Sequence, residues 1–165
     1  MRTDETFTDL YDGCYRRLVG ELYVALGSLP EAEDVVQDAF AQAYRRWSKI
    51  RGYDEPAAWV RRVALNLASN RRRSLGRRDH AVARIAGGLR VEPDLSTELL
   101  ELTEALGALP FDQRTALMLH HVAGLPVAAI AAELGVPDGT VKARLSRGRV
   151  ALRERLSYDV EEASS

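Results

Sequence analysis

Cysteine is almost absent from this chain of 165 residues, which contains only Cys14. A single cysteine cannot form a disulfide within the chain, and the sequence has no cluster of cysteine and histidine with the spacing of a zinc site. It also lacks the roughly 18 consecutive apolar residues of a membrane-spanning helix and the shorter apolar stretch of a signal peptide. These absences predict a protein of the reducing cytoplasm that does not insert directly into a membrane.

Motifs of catalysis are missing as well. The sequence has no glycine-rich phosphate-binding loop and no nucleophile paired with a base. Of the three histidines, His80 stands alone, whereas the adjacent His120 and His121 would lie about 100° apart on a helix and lack a third metal ligand. We therefore predict a protein that is not an enzyme, with no catalytic residue, cofactor, metal or small-molecule substrate.

Strand signals are also rare, because no run of alternating β-branched residues lies between turn residues. Apolar residues recur instead at helical spacing along most of the chain. We therefore predict an all-α fold, with helices over about residues 7–26, 31–47 and 56–73 in the first half of the chain. Pro30 and Pro56 suit the starts of the second and third of these helices.

The helical periodicity weakens between residues 76 and 96, where Gly87, Gly88 and Pro93 interrupt it. We predict a flexible linker over this segment, which divides the chain into two small helical domains. The first domain would span residues 1–75, and the second, of about four helices, residues 97–157. The polar tail, residues 158–165, is expected to fray.

The formal net charge of −1 conceals an uneven distribution of charge along the chain. Residues 45–78 carry 11 basic and 2 acidic side chains, and residues 138–156 carry 6 basic and 2 acidic ones. The segments around them are acidic; residues 1–44, for example, carry 3 basic and 9 acidic side chains. Because a polyanion responds to the local potential, two basic zones are compatible with two separate DNA contacts.

The most informative segment is residues 125–156, which has the pattern of a helix-turn-helix. Residues 127–134 predict a short helix, residues 135–137 (Gly-Val-Pro) a turn, and the residues from Gly139 onward a second, longer helix. The apolar positions of this second helix share one narrow sector: Val141, Leu145, Gly148, Leu152 and Leu156. That sector would pack against the rest of the domain.

The other face of the second helix suits the major groove of DNA. Its outward positions are Lys142, Ala143, Ser146, Arg147 and Arg153. Gly139 and Thr140 begin the helix and offer backbone N–H groups to phosphate, while Arg144 and Arg149 flank the apolar sector within reach of phosphates. The alternative, a solvated basic helix that binds nothing, is disfavoured because the turn chemistry, the helix lengths and the charge distribution agree.

A second candidate DNA-binding surface lies on the helix predicted over residues 56–73. Four polar side chains share one flank of this helix: Arg62, Asn66, Ser69 and Arg73. An amide able to pair with a base edge is thus bracketed by groups able to bind phosphates. Trp59 could stack on a base, but its helical phase beside Val63 and Pro56 favours a place in the core.

Three segments of the chain resemble bacterial sigma factors of the extracytoplasmic-function type, the compact branch that keeps only the second and fourth conserved regions. They read AEDVVQDAF at residues 32–40, AWVRRVALN at residues 58–66, and LPFDQR at residues 109–114 followed by GTVKARLSRGR at residues 139–149. Any one segment is moderately specific, since several regulator families end in a similar helix-turn-helix. Three in this order across a linker are highly specific.

The resemblance implies that the chain binds RNA polymerase core enzyme and directs it to promoter DNA in a stress or environmental response. A region 2 domain would bind the minus-10 element and a region 4 domain the minus-35 element. An anti-sigma factor would control the chain by covering surfaces of one or both domains. The helix predicted over residues 31–47 would dock on the polymerase through three outward residues: Asp34, Gln37 and Asp38. Minus-10 recognition would fall at Asn66 and Asn70, with the loop near Tyr53 receiving an unstacked base.

The residues alone leave open a helix-turn-helix regulator that acts at operators without polymerase. Such a regulator should bind duplex DNA tightly by itself, whereas a sigma factor should bind its promoter well only as part of the polymerase. In the sigma interpretation, acidic segments and contacts between the domains mask the basic helices of the free chain.

Overall fold

The computed structural model describes residues 6–75 and 96–163, and the regular secondary structure within these residues is entirely helical. The chain divides into two compact units on either side of the boundary between Asp94 and Leu95. The predicted all-α fold with two helical domains is therefore confirmed. The predicted linker falls outside the described residues except for Ser96, so its limits and those of the two domains stay predictions.

The first unit contains four helices: α1 (Phe7–Leu26), α2 (Leu29–Arg45), α3 (Trp47–Ile50) and α4 (Pro56–Leu75). A capping box begins α1, because the backbone N–H of Asp9 donates to Thr6 Oγ1 over 3.2 Å and the backbone N–H of Thr6 donates to Asp9 Oδ2 over 3.0 Å. The backbone N–H of Thr6, followed by the Thr6 hydroxyl, which also donates to Asp9 Oδ2 over 2.8 Å, holds the pKa of Asp9 below its ordinary value. Gly27, at φ 76°, ends the helix in a left-handed conformation that suits glycine.

The helix predicted over residues 31–47 is interrupted near its end. Arg46, at φ −112° and ψ 16°, lies outside the helical region, and the short helix α3 follows it. The change of direction brings Ile50 into the core, where it is 1% exposed. The prediction of one continuous helix was wrong here, since neither glycine nor proline marks the break.

The core of the first unit is built by α1, α2 and α4, which all pack on one another. The apolar stripe predicted on α2 is buried from Ala32 to Ala43. Its last turn differs from the prediction, because Tyr44 is 69% exposed and Trp47 is half-buried. Both rings meet the ring of Phe7 edge-on, at centroid distances of 5.2 Å and 5.8 Å. This end of the stripe is therefore an aromatic cluster at the surface.

A buried ion pair joins α1 to α4. Arg61 Nη1 lies 3.3 Å from Glu21 Oε2, and the two side chains are only 7% and 3% exposed. Burial raises the pKa of Glu21, and the opposing effect of the Arg61 guanidinium is smaller. Burial thus disfavours the charged form of Glu21 more than Arg61 stabilises it, and removal of either side chain would leave the other without this partner.

The second unit contains α5 (Thr97–Ala105), α6 (Phe111–Leu117) continued by a π-helical turn (Met118–Val122), α7 (Val127–Leu134) and α8 (Asp138–Ala163). The predicted helix-turn-helix is confirmed as α7 and the first turns of α8. Gly135, at φ 66°, ends α7 and donates its backbone N–H to the carbonyl of Ala131. Helix α8 continues to Ala163, beyond residue 157, where the predicted domain ends.

The apolar sector predicted on α8 is buried only along its first half. Val141 and Leu145 are 0% and 3% exposed, and Gly148 is buried against Leu117 of α6. Further along, Leu152 is half-buried and Leu156 is 49% exposed, because most of the contacts to α8 come from the short helices α6 and α7. The packed part of α8 is therefore the part that carries the predicted DNA-binding residues.

The lone cysteine belongs to the core of the first unit. Cys14 is 4% exposed, and its thiol donates to the carbonyl of Leu10 over 3.0 Å. In the described parts of both units, no helix is long and apolar enough to span a bilayer. The same residues hold no group of three or more side chains that could bind a metal ion.

Candidate nucleic-acid and polymerase interfaces

The start of α8 brings the predicted minus-35 residues together on one exposed surface. Lys142, Ser146 and Arg147 are exposed, as is Gly139 at the beginning of the helix. The remaining predicted positions are half-buried at the edges of this surface: Thr140, Ala143, Arg144 and Arg149. The pattern follows from the helical period, since burial of Val141 and Leu145 turns the intervening positions outward.

The two flanking arginines are held by side chains from α6 and its π-helical continuation. Arg144 Nη2 lies 3.7 Å from Asp112 Oδ2, and Arg149 Nη2 donates to His121 Nε2 over 3.3 Å. Burial, followed by the neighbouring His120 and Arg149, lowers the pKa of His121. A neutral imidazole can accept this hydrogen bond, so Arg149 is oriented without an ion pair.

An open groove of about 500 Å³ lies between the starts of α6 and α8. One side is lined by Pro110, Asp112 and Gln113, and the other by residues of α8 that include Thr140, Arg144 and Arg147. Two guanidinium groups and a hydroxyl thus face a single carboxylate across the groove. This geometry suits a polyanion more than a small apolar ligand.

The predicted minus-10 residues lie along α4 and in the turn before it. Arg62, Asn66, Asn70 and Arg73 are exposed, whereas Ser69 and Tyr53 are half-buried. Arg73 Nη2 donates to Asn70 Oδ1 over 3.0 Å, so one predicted phosphate-binding side chain orients a predicted base-reading amide. Trp59, which the sequence assigns to the core, is half-buried.

The three consecutive arginines at the end of α4 have different partners. Arg71 contacts Asp34 and Asp38 of α2, and Arg72 Nη2 donates to the carbonyl of Leu26 over 2.9 Å. Leu26 is the last residue of α1, which has no basic side chain in its own last turn, so Arg72 supplies the positive charge that a helix C-terminus favours. Arg73, by contrast, donates to Asn70 along the same helix.

The predicted polymerase-binding side chains of α2 are exposed and share one surface. Asp34 and Asp38 are 62% and 51% exposed, and Gln37 lies between them in sequence. Each has a partner from another helix: Arg71 for the two carboxylates and, for Gln37, the hydroxyl of Tyr15, which accepts from Nε2 over 3.2 Å.

Sequence reasoning missed three residues that arrange these surfaces, namely Tyr15, Arg71 and Asp112. Arg71 is separated from Asp34 by 37 residues, and Tyr15 from Gln37 by 22. Such contacts arise from the packing of helices on one another and leave no local pattern in the sequence. Only the general expectation that a partly buried arginine has a partner could have pointed to Arg71.

Both units of the chain are similar to known proteins. The family model described as Sigma-70 region 2 matches residues 10–78, and the model described as Sigma-70, region 4, matches residues 99–152. The sigma factor SigW of Bacillus subtilis is 32% identical to this chain and aligns with 92% of it and 89% of its own length. The sigma-H factor of Pseudomonas aeruginosa is also 32% identical, over 99% of this chain and 93% of its own.

A solved structure is similar in fold. It holds the sigma factor RpoE of Bartonella quintana in complex with the anti-sigma factor NepR, and its TM-score to this chain is 0.71 at 27% sequence identity. The similarity covers 93% of this chain and 98% of that one. On these sequence and structure matches, the chain belongs to the extracytoplasmic-function family of RNA polymerase sigma factors.

Proposed function

We propose that this sigma factor binds RNA polymerase core enzyme through α2 and reads a promoter with two helices. Helix α4 of the first unit would bind the minus-10 element, and α8 of the second unit the minus-35 element. The observation that carries the proposal is that each helix presents exposed basic side chains over a buried apolar face, within a segment matched by a sigma-factor model. The action takes place in the cytoplasm, where polymerase and promoter DNA meet.

The roles on α8 follow from exposure and reach. Lys142 and Arg147 are exposed near the start of the helix, the part that enters the major groove in helix-turn-helix proteins. Arginine can bind a guanine edge or a phosphate with two hydrogen bonds. Arg144 and Arg149, held by Asp112 and His121, are assigned to phosphates at the groove walls. Gly139 and Thr140 add backbone N–H groups at the helix N-terminus.

The roles on α4 suit DNA that is melting. Asn66 and Asn70 are exposed amides one helical turn apart, and both can pair with base edges. With Asn70 Oδ1 accepting from Arg73, the amide nitrogen remains able to donate to a base. Arg62 and Ser69 lie on the same flank of α4 and would bind the DNA backbone. Tyr53, in the turn before α4, would contact an unstacked base and offset part of the few kcal/mol spent on unstacking it.

The role of α2 is electrostatic. Its outward side chains Asp34, Gln37 and Asp38 form an acidic, hydrogen-bonding surface that fits basic side chains of the polymerase. Charge complementarity of this kind raises the rate of encounter and fixes the orientation of the partners.

Control by an anti-sigma factor forms part of the proposal. It is supported by the similarity to RpoE of Bartonella quintana, whose solved structure contains the anti-sigma factor NepR. A partner of this kind would cover the polymerase-binding and DNA-binding surfaces of one or both units. Release of that partner in a stress response would then allow the chain to bind core enzyme.

Substitutions on α8 should separate promoter binding from polymerase binding. We expect Arg147→Ala or Lys142→Ala to weaken holoenzyme binding at the minus-35 element by roughly 1–3 kcal/mol, because each removes an exposed cation from the proposed DNA-binding surface of α8. A lost phosphate contact should lower the salt slope by about one, whereas a lost base contact should relax specificity. Fluorescence anisotropy with minus-35 duplexes of different sequence measures the specificity, and its repetition at several salt concentrations measures the salt slope. Equal affinity for core enzyme is the control, and a parallel loss of core binding would contradict the assignment.

Charge reversal on α2 should have the opposite effect. We expect Asp38→Arg to weaken association with core enzyme by about tenfold or more, because it places a cation where basic polymerase side chains are expected to bind. The matched control is Asp12→Arg, the same change at an exposed position of α1. Surface plasmon resonance with immobilised core enzyme compares the two variants. Core affinity that falls equally in both would show general charge repulsion and not a docking site.

Run-off transcription decides between a sigma factor and a helix-turn-helix regulator that acts alone. Purified core enzyme and the chain together should start RNA synthesis at specific promoters on a promoter library, and core enzyme alone should not. The free chain should bind promoter duplex weakly. Tight sequence-specific binding by the free chain, without selective initiation by the holoenzyme, would favour the regulator.

A further inference from the structure

An arginine from α4 lies against the two carboxylates that we assign to polymerase docking. Arg71 Nη1 lies 2.5 Å from Asp34 Oδ2, and Arg71 Nη2 lies 2.5 Å from Asp38 Oδ2. The carboxylates are one helical turn apart on α2, so a single planar guanidinium can bridge them. Its side chain is 34% exposed, whereas the aspartates are 62% and 51% exposed. The bridge is therefore at the surface and accessible to a partner.

Arg71 does not share the face of α4 that we assign to DNA. At about 100° per residue it lies roughly 180° around the helix from Arg62 and 140° from Asn66. The neighbouring Arg72 and Arg73 turn to the end of α1 and to Asn70. Of the three consecutive arginines, Arg71 is thus the one whose described contacts are with the acidic surface of α2.

The bridge occupies the groups that a basic partner would use. A guanidinium donates charge-assisted hydrogen bonds to carboxylates, which is what an arginine or lysine of the polymerase would do at the same place. While Arg71 is bound, the charge of the aspartate pair is reduced from −2 to −1 for an approaching cation. A polymerase side chain must then displace the Arg71 guanidinium or share the carboxylates with it.

We infer that Arg71 is a further determinant of polymerase affinity, and that it acts as an internal competitor for the basic side chains that bind Asp34 and Asp38. This inference rests on the proposed docking role of α2. The contact keeps the affinity of the chain for core enzyme below the value that the acidic pair alone would give. It also reduces the repulsion between Asp34 and Asp38, two like charges one helical turn apart, and this favours the contact in the free chain.

The test is the affinity of the full chain for core enzyme after Arg71→Gln. Removal of the competing cation should raise that affinity by about three- to tenfold, the range that two exposed ion pairs together can supply. The matched control is Arg16→Gln, which removes the same charge from an exposed position of α1 and should change the affinity less than twofold. Arg71→Lys, which keeps the charge but has a single ammonium group, should give an intermediate gain.

A double-mutant cycle identifies the carboxylates as the cause. The gain from Arg71→Gln should vanish when Asp34→Asn and Asp38→Asn are already present, because no acidic pair then remains to be released. Core affinity that falls or does not change on Arg71→Gln, in a variant with unaltered helical content, would overturn the inference, as would a gain that persists in the asparagine background. Asp38→Arg tests the docking role separately. If Asp38→Arg abolishes core binding while Arg71→Gln has no effect, only the inference fails; if Asp38→Arg has no effect, the proposed docking surface itself fails.

Discussion

Replacement of Glu21 by leucine is expected to destabilise the first unit by about 3–5 kcal/mol. The carboxylate of Glu21 is 3% exposed and lies 3.3 Å from the Arg61 guanidinium, itself 7% exposed. The substitution would leave a buried positive charge without this counter-ion, and that penalty greatly exceeds the worth of an exposed ion pair. Since Arg61 precedes Arg62 on α4, the loss should also reduce minus-10 binding.

The two tryptophans allow the stability of the first unit to be measured in the intact chain. Trp47 and Trp59 are the only tryptophans of the sequence, and both belong to the first unit. Their fluorescence during urea unfolding therefore follows the first unit without a signal from the second. The free energy of unfolding from the linear dependence on urea gives the expected loss.

The control is the double variant Glu21→Leu, Arg61→Met. Burial raises the pKa of Glu21 in spite of Arg61, so the carboxylate loses more through lost hydration than the guanidinium returns. Apolar side chains of similar length should then recover most of the stability that the single substitution removes. A single variant within about 1 kcal/mol of the unaltered chain, or a double variant that recovers nothing, would contradict this account of the pair.

The limits of most helices could be predicted because the signals that set them are local. Pro56 at the start of α4 and Gly135 at the end of α7 each fix the backbone within one turn. Burial along the first half of α8 was also predictable from the helical period, as Val141 and Leu145 show, whereas the exposure of Leu156 was not. The period even distinguishes the adjacent Arg61 and Arg62, since Arg61 shares its phase with the buried Ala64 and Leu65 of α4.

Features that depend on packing between helices could not be predicted. The break at Arg46 has no residue that marks it, and the helical period alone places Tyr44 on the apolar stripe although it is 69% exposed. The partners of the site residues are equally remote in sequence. Asp112 reaches Arg144 from another helix, and Arg71 reaches α2 from α4. The sequence thus predicts many of the outward-facing residues of the candidate sites but not which of them are already paired.

A side chain at Gly148 is expected to disrupt the second unit. A Cβ atom there would lie 2.8 Å from Leu117 Cδ1, closer than real Cβ atoms approach a neighbour, and 3.3 Å from Leu117 Cγ, which is tighter than most such contacts. Gly148→Leu should therefore cost about 2–3 kcal/mol, because Leu117 is only 5% exposed and must move within a packed core. The loss should appear as faster amide hydrogen exchange in peptides from α6 and α8, and as weaker minus-35 binding.

Two comparisons separate this steric effect from the helix preference of the new residue. Alanine favours a helix interior over glycine by up to about 1 kcal/mol, so Gly13→Ala in α1, where no atom lies within 4 Å of the added Cβ, should stabilise the first unit. Gly148→Ala carries the same gain but meets Leu117, and it should not stabilise the second unit. Combining Gly148→Leu with Leu117→Ala should cost less than the sum of the two single losses, since the cavity made by one accepts the side chain of the other. Strict additivity, or stabilisation by Gly148→Ala equal to that of Gly13→Ala, would show that the close approach of α6 and α8 at Gly148 does not fix α8 in place.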